Sequence, residues 1–171
     1  MDKFGLVVIG AHSGVWLTTL LDEYKNQNIL LVEPVPYNVI LLKKNTTKYN
    51  NIQIETSAVS NKIGNQKFYF VKPKSVKNLG KHWASGIGSF DKQHILNHKN
   101  KRFLVSDPDI EEVSIQYLTF SDLIDKYSVG SIDLLQIDVE GAEFEILNSI
   151  NFEKIEIKKI IFEFKHFDGT F

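Results

Sequence analysis

The chain has 171 residues, of which 43% are hydrophobic, 12% aromatic and 24% charged, with a formal net charge of -1. This composition suits one domain of ordinary size with a buried core and excludes intrinsic disorder. The absence of cysteine excludes a disulfide framework, a thiolate metal site and a cysteine nucleophile.

Gly5 to Ile9 is a short apolar run ending in Gly10, which predicts a buried strand. It is too short for a signal peptide, and no run approaches about 18 apolar residues. The chain is therefore expected to be soluble and cytoplasmic, without a membrane partner. Val15 to Lys25 has helical spacing, with Ser13 as the expected N-cap. Asn28 to Val32 reads as a second strand, closed by Glu33-Pro34. Pro36 suits the first turn of a helix running to about Lys48. Ile52 to Glu55 is a third strand, Asn61 to Asn65 a turn, and Lys67 to Val71 a further strand.

Periodicity fails from Lys72 to Pro108, so a loop insertion is expected at about 72–108 of a single 1–171 domain. Glu112 to Leu118 is a strand, and Thr119 caps a short helix from Phe120 to Tyr127. Strand Ile132 to Asp138, helix Ala142 to Ser149 and strand Ile157 to Phe164 complete the chain. Strands alternating with helices predict parallel βαβ units, with helices on both faces of the sheet.

Charge is unevenly spread. Lys72 to Arg102 holds eight Lys or Arg and one acid, Asp91, together with His82, His94 and His98. That asymmetry points either to an anionic partner or to a solvated loop in a Lys-rich chain.

In a doubly wound sheet, ligands bind outside the carboxyl ends of the strands. Here those ends are Gly10-Ala11-His12-Ser13-Gly14, then Glu33-Pro34, then Ser57-Ala58-Val59, then Asp138-Val139-Glu140-Gly141, then Glu163. The first is a glycine turn that lets backbone N–H groups approach an anion, without the three-glycine dinucleotide spacing. Glu33, about twenty residues on, stands where an acid accepts both hydroxyls of a ribose. The small residues Ser57, Ala58 and Val59 would leave room for an adenine. Asp138 ends a central strand and is expected to face the crevice, since an unpartnered buried carboxylate is costly. Glu140 and Glu143 are expected to favour the start of the helix that follows.

The segments VVIGAHSG, VEPVPYN, SAVSNKIG, VSIQYLTFSDLI and IDLLQIDVEGAEFEIL, in this order, resemble the FkbM family of S-adenosylmethionine-dependent methyltransferases over nearly the whole chain. The resemblance implies an α/β, Rossmann-like class I methyltransferase fold: a doubly wound, mostly parallel sheet flanked by helices as a three-layer sandwich. It also implies methyl transfer, usually to an oxygen of a sugar or natural-product hydroxyl. The family's glycine loop usually has an acid two residues before its first glycine, where this chain has Val8. It usually has asparagine after Gly-Ala, where this chain has His12. His12 is expected to orient the loop or touch the cofactor rather than act in catalysis.

On this reading Gly10 to Gly14 hold the methionine end of S-adenosylmethionine, Glu33 with Pro34 the ribose, Ser57 to Val59 flank the adenine, and Asp138 also touches the cofactor. The general base is Asp138 first, then Glu140, then His166. His82, Trp83, Ser85 and Ser89 are the acceptor-binding candidates. A metal between Asp138 and Glu163 is not expected, since two carboxylates without fixed spacing do not define a site. The acceptor is expected to be a small molecule or glycan, anionic if the basic segment lines it, and nucleic acid is not expected. An exposed sheet edge near Ile160 to Phe164 leads to an expectation of self-association. Rival readings are a nicotinamide-dependent oxidoreductase, an RNA methyltransferase and a non-catalytic nucleoside-binding module.

Overall fold

The computed structural model describes residues 1–79, 88–97, 104–139 and 141–163. Its strands and helices run in the order β1 (Asp2–Ile9), α1 (Thr18–Glu23), β2 (Asn28–Val32), α2 (Pro36–Asn45), β3 (Ile52–Glu55), β4 (Ala58–Val59), β5 (Gly64–Val71), α3 (Pro73–Leu79), β6 (Gly88–Ser89), α4 (Lys92–Asn97), β7 (Ile110–Leu118), α5 (Phe120–Lys126), β8 (Val129–Ile137), α6 (Glu143–Ser149) and β9 (Glu156–Phe162). They fall into two compact units, Met1–Gly64 with Gln116–Phe171, and Asn65–Ile115.

In the larger unit five strands form one sheet in the order β3-β2-β1-β8-β9. All four pairings are parallel. Parallel strands buried on both faces read as continuous apolar runs, as Leu6 to Ile9 of β1 and Ile29 to Val32 of β2 do. Successive side chains alternate between faces. Phe4, Val7 and Ile9 join Leu30, Val32, Leu135 and Ile137 under Phe120, Leu123 and Ile146 of α5 and α6. Leu6 and Val8 join Ile29 and Leu31 on the opposite face, against Leu21 of α1 and Leu42 of α2. Each buried aliphatic side chain contributes roughly 1.5–3 kcal/mol, so this two-sided core fixes which strands are central. The result is a mostly parallel sheet flanked by helices, consistent with a Rossmann-like methyltransferase fold.

Local chemistry explains most boundaries. Pro36 opens α2 at its first turn, and the Thr46 hydroxyl donates to the Leu42 carbonyl 2.8 Å away at its end. Thr119 caps α5: its hydroxyl accepts from the Asp122 N–H at 3.0 Å while its own N–H donates to the Asp122 carboxylate at 3.1 Å. The edge strand β9 is largely exposed, with Ile161 and Phe162 at 39% and 40%.

One helix departs from the sequence expectation. α1 starts at Thr18 rather than Val15, and Leu17, not Ser13, is its N-cap. His12 and Gly14 adopt φ of 52° and 76°, which turns the chain before a helix can begin.

The smaller unit is wider than the 72–108 segment and is not without secondary structure. β5 lies between β7 and β6 and pairs antiparallel with β6. The short helices α3 and α4 occupy part of the stretch expected to be loop. Val71, Ile95, Val105 and Ile110 form its core.

Candidate functional site at the carboxyl edge of the sheet

Register places the predicted strand ends on one level. Ile9 pairs with Val32 on one side and Ile137 on the other, Val32 with Glu55, and Ile137 with Phe162. The next residues, Gly10, Glu33, Thr56, Asp138 and Glu163, therefore leave the sheet along one edge. Strands lie about 4.8 Å apart, so the backbones of Glu33 and Asp138 flank Gly10 at roughly 10 Å from each other. β1 lies between β2 and β8, where the winding reverses, and such a switch point opens a crevice.

Gly10 is where a side chain would not fit. Its φ is +92°, and an added Cβ would lie 1.8 Å from the Asp138 carbonyl oxygen. The Asp138 N–H in turn donates to the Ile9 carbonyl at 2.9 Å. Gly14 has a related reason, since an added Cβ would meet Leu42 at 2.6 Å.

The N–H groups of this loop are largely committed. Those of Gly10 and Ala11 donate to the Val32 carbonyl at 3.0 and 2.9 Å, and that of Gly14 to the Ala11 carbonyl at 3.1 Å. The His12 N–H donates to the Glu33 carboxylate at 2.8 Å. Asn45 from α2 donates to the Ser13 carbonyl at 2.8 Å, and the Ser13 hydroxyl lies 3.4 Å from His12 Nδ1. The expectation of N–H groups turned toward an anion is thus not met by four of the five. Ala11, Ser13 and Gly14 are buried and His12 is half-buried.

Glu33 is buried, with 4% exposure. Its Oε2 accepts from His12, and its Oε1 from the Val35 N–H at 2.9 Å and Asn38 Nδ2 at 3.3 Å. Burial pushes its carboxyl up to about 7, and these three hydrogen bonds only partly offset that. A carboxylate offers about four acceptor positions, so one further donor can be taken without displacing a partner. A second ribose hydroxyl would have to replace the longest bond, to Asn38. Pro34 is half-buried beside it.

At the end of β3, Glu55 Oε1 accepts the N–H groups of Thr56 and Ser57, both at 2.8 Å. Its Oε2 accepts Lys126 Nζ at 2.6 Å and the Tyr127 hydroxyl at 3.2 Å. Ser57, Ala58 and Val59 are all buried, and the Val59 side chain packs in the core under α5.

Asp138 and Val139 are half-buried. Glu143, only 1% exposed, accepts the Val139 N–H on Oε1 at 2.9 Å and the Gly141 N–H on Oε2 at 3.0 Å. Its carboxylate thus reaches back to the loop that carries Asp138. Glu140, His166, His82, Trp83 and Ser85 lie outside the described residues. Ser89 is in the smaller unit, where its hydroxyl accepts the Asp91 N–H at 3.2 Å. Among the described residues no group of three or more His, Asp or Glu could hold a metal ion, and no helix is long and apolar enough to cross a membrane.

Sequence reasoning did not identify Asn38, Asn45 or the Glu55–Lys126 pair. Asn38 alone has a local signal, a polar residue in the first turn of a helix that follows a strand-end acid. The family comparison matches residues 9–171 to the methyltransferase FkbM domain. The chain belongs to that family. The FkbM match includes every strand end on the edge described above. As a family member this chain is a methyltransferase, and such enzymes typically depend on S-adenosylmethionine. No curated protein and no solved structure matches the chain.

Proposed function

We propose that this FkbM domain binds S-adenosylmethionine at the carboxyl edge of its sheet and methylates a hydroxyl oxygen of a sugar, glycan or related small molecule. One observation carries the choice of nucleoside over dinucleotide. Four of the five N–H groups of Gly10 to Gly14 are already bonded inside the loop network. A pyrophosphate needs such groups free at a helix N-terminus, and α1 begins only at Thr18. A nucleoside without phosphate makes no such demand, and Glu33 stands one strand away for its ribose.

On this reading Gly10 to Gly14 form the wall for the methionine end, Glu33 and Pro34 hold the ribose, and Ser57 to Val59 border the base. The cofactor supplies an electrophilic methyl group on a sulfonium. Asp138 would border the cofactor and take the proton of the acceptor hydroxyl as the oxygen–carbon bond forms and the methyl–sulfur bond breaks, leaving S-adenosylhomocysteine, with Glu140 and His166 as the other candidate bases. The crevice would bring the acceptor oxygen up to that methyl group.

The acceptor is read as acidic or phosphorylated because of the basic segment from Lys72 to Arg102. We place self-association at the outer edge of β9, where Ile161 and Phe162 are exposed. Light scattering at tens of micromolar is expected to give more than the 19.6 kDa monomer mass. The decisive experiment is calorimetry with S-adenosylhomocysteine and with NAD. Binding of the first alone is expected, and binding of NAD alone would overturn the reading. Mass spectrometry of a glycan pool incubated with labelled cofactor then identifies the acceptor.

A further inference from the structure

An acid in the first turn of a helix usually serves that helix, through its free N–H groups or its dipole. Glu143 does something else. It is the first residue of α6, yet both carboxylate oxygens turn backward to the N–H groups of Val139 and Gly141, at 2.9 and 3.0 Å. Those residues follow Asp138, whose N–H is held by Ile9 and whose carbonyl lies against Gly10. Gly141 takes a φ of +113°, a backbone state open to glycine and rare for other residues, which lets its N–H turn toward Glu143. β1 therefore holds one side of Asp138, and Glu143 holds the chain just beyond it.

We propose that Glu143 is a positioning residue, whose carboxylate clasps the loop after β8 and thereby sets Asp138 at the crevice. This rests on the reading of Asp138 as a site residue. Two N–H donors facing two oxygens require a side chain that only accepts. Glutamine must turn its NH₂ toward one of them, so the near-isosteric change is expected to disrupt the clasp about as much as alanine does.

The test is a double-mutant cycle on the full chain, read as S-adenosylhomocysteine affinity by calorimetry alongside the thermal midpoint. Glu143→Gln and Asp138→Asn are each expected to weaken binding about 10-fold. The double variant is expected to bind no worse than the weaker single, because the two residues act as one unit. A purely structural glutamate would lower the midpoint, leave affinity intact below it, and give no coupling. Unchanged affinity in Glu143→Gln, or losses that multiply, would overturn the inference while leaving the cofactor reading intact. A wild-type chain that does not bind the probe overturns both. Amide exchange on the wild-type chain keeps the question open to refutation should the variants not fold. Val139 and Gly141 are expected to be protected, and fast exchange at both removes the clasp.

Discussion

The ends of β2 and β3 set two glutamates of similar burial side by side in the sheet. Glu33 and Glu55 are 4% and 3% exposed, and each accepts two backbone N–H groups. Glu33 adds only the neutral amide of Asn38, whereas Glu55 adds the ammonium of Lys126. Burial pushes Glu33 up to about 7. Burial pushes Glu55 in the same direction, but Lys126 and Ser57 together hold it below its ordinary value. Lys126, together with the hydrogen bonds from Ser57, separates a carboxylate at rest from one kept under electrostatic strain. Glu55 is accordingly an anchor joining β3 to α5, whereas on the proposed function the environment of Glu33 is completed by the ribose it binds.

The largest expected effect follows. Glu33→Gln should weaken S-adenosylhomocysteine about 100-fold, since a hydrogen bond to a charged group is lost together with the tie to the glycine loop. Lys126→Ala should change it less than about 3-fold, because Lys126 serves only the anchor. Calorimetry on both variants checks this, and equal losses would erase the distinction between the two glutamates.

The sequence showed one half of this contrast and hid the other. β2 and β3 have the bounds expected of them, because Glu33-Pro34 closes the apolar run of the one and Thr56 follows the alternation of the other. The place of Glu33 followed from its distance beyond the glycine turn. Its partners did not, since the His12 N–H reaches it only because His12 adopts a positive φ. The Glu55–Lys126 pair spans 71 residues and depends on how α5 docks, which no local pattern encodes. The late start of α1 was hidden for a related reason: Ser13 before an apolar run has the appearance of a cap, and the positive φ of His12 and Gly14 that rules it out leaves no local pattern beyond the glycine itself. α3 and α4 have seven and six residues, too few turns for a helical period to stand out.

An effect of comparable size concerns stability and pH. Below about 4.5 Glu33 is protonated in both folded and unfolded chains, and above about 7 it is ionised in both. Between these values the folded chain holds a proton that the unfolded chain has lost. Its contribution therefore falls as pH rises through that window, by about 3 kcal/mol in total. Several other acids have lowered values and slope the opposite way, among them Asp109, Asp122 and Asp133. The measurement is therefore a difference. Urea midpoints of wild type and Glu33→Gln at pH 4.5 and pH 8 should show Glu33→Gln gaining on wild type at the higher pH. A constant gap would mean that Glu33 is not strained.

The smallest effect comes from turning Glu55 into a second Glu33. Lys126→Ala removes the ammonium at 2.6 Å and leaves the Tyr127 hydroxyl, at 3.2 Å, on the same oxygen. Burial, with Glu55 beside it, already pushes that hydroxyl up to about 12, so it remains a neutral donor and cannot replace the cation. The Lys126 side chain is 49% exposed, and water screens much of its attraction, so the loss at pH 7 should be about 1 kcal/mol. Its sign with pH is opposite to that of Glu33. A carboxyl held below its ordinary value stabilises the fold above that value, and the contribution disappears as pH falls through the folded one. The gap between wild type and Lys126→Ala in urea should therefore be wide at pH 7 and close toward pH 3. A gap of the same size at both would assign Lys126 a packing role, through its aliphatic stem or its approach to the Tyr127 ring at 5.7 Å, rather than an electrostatic one.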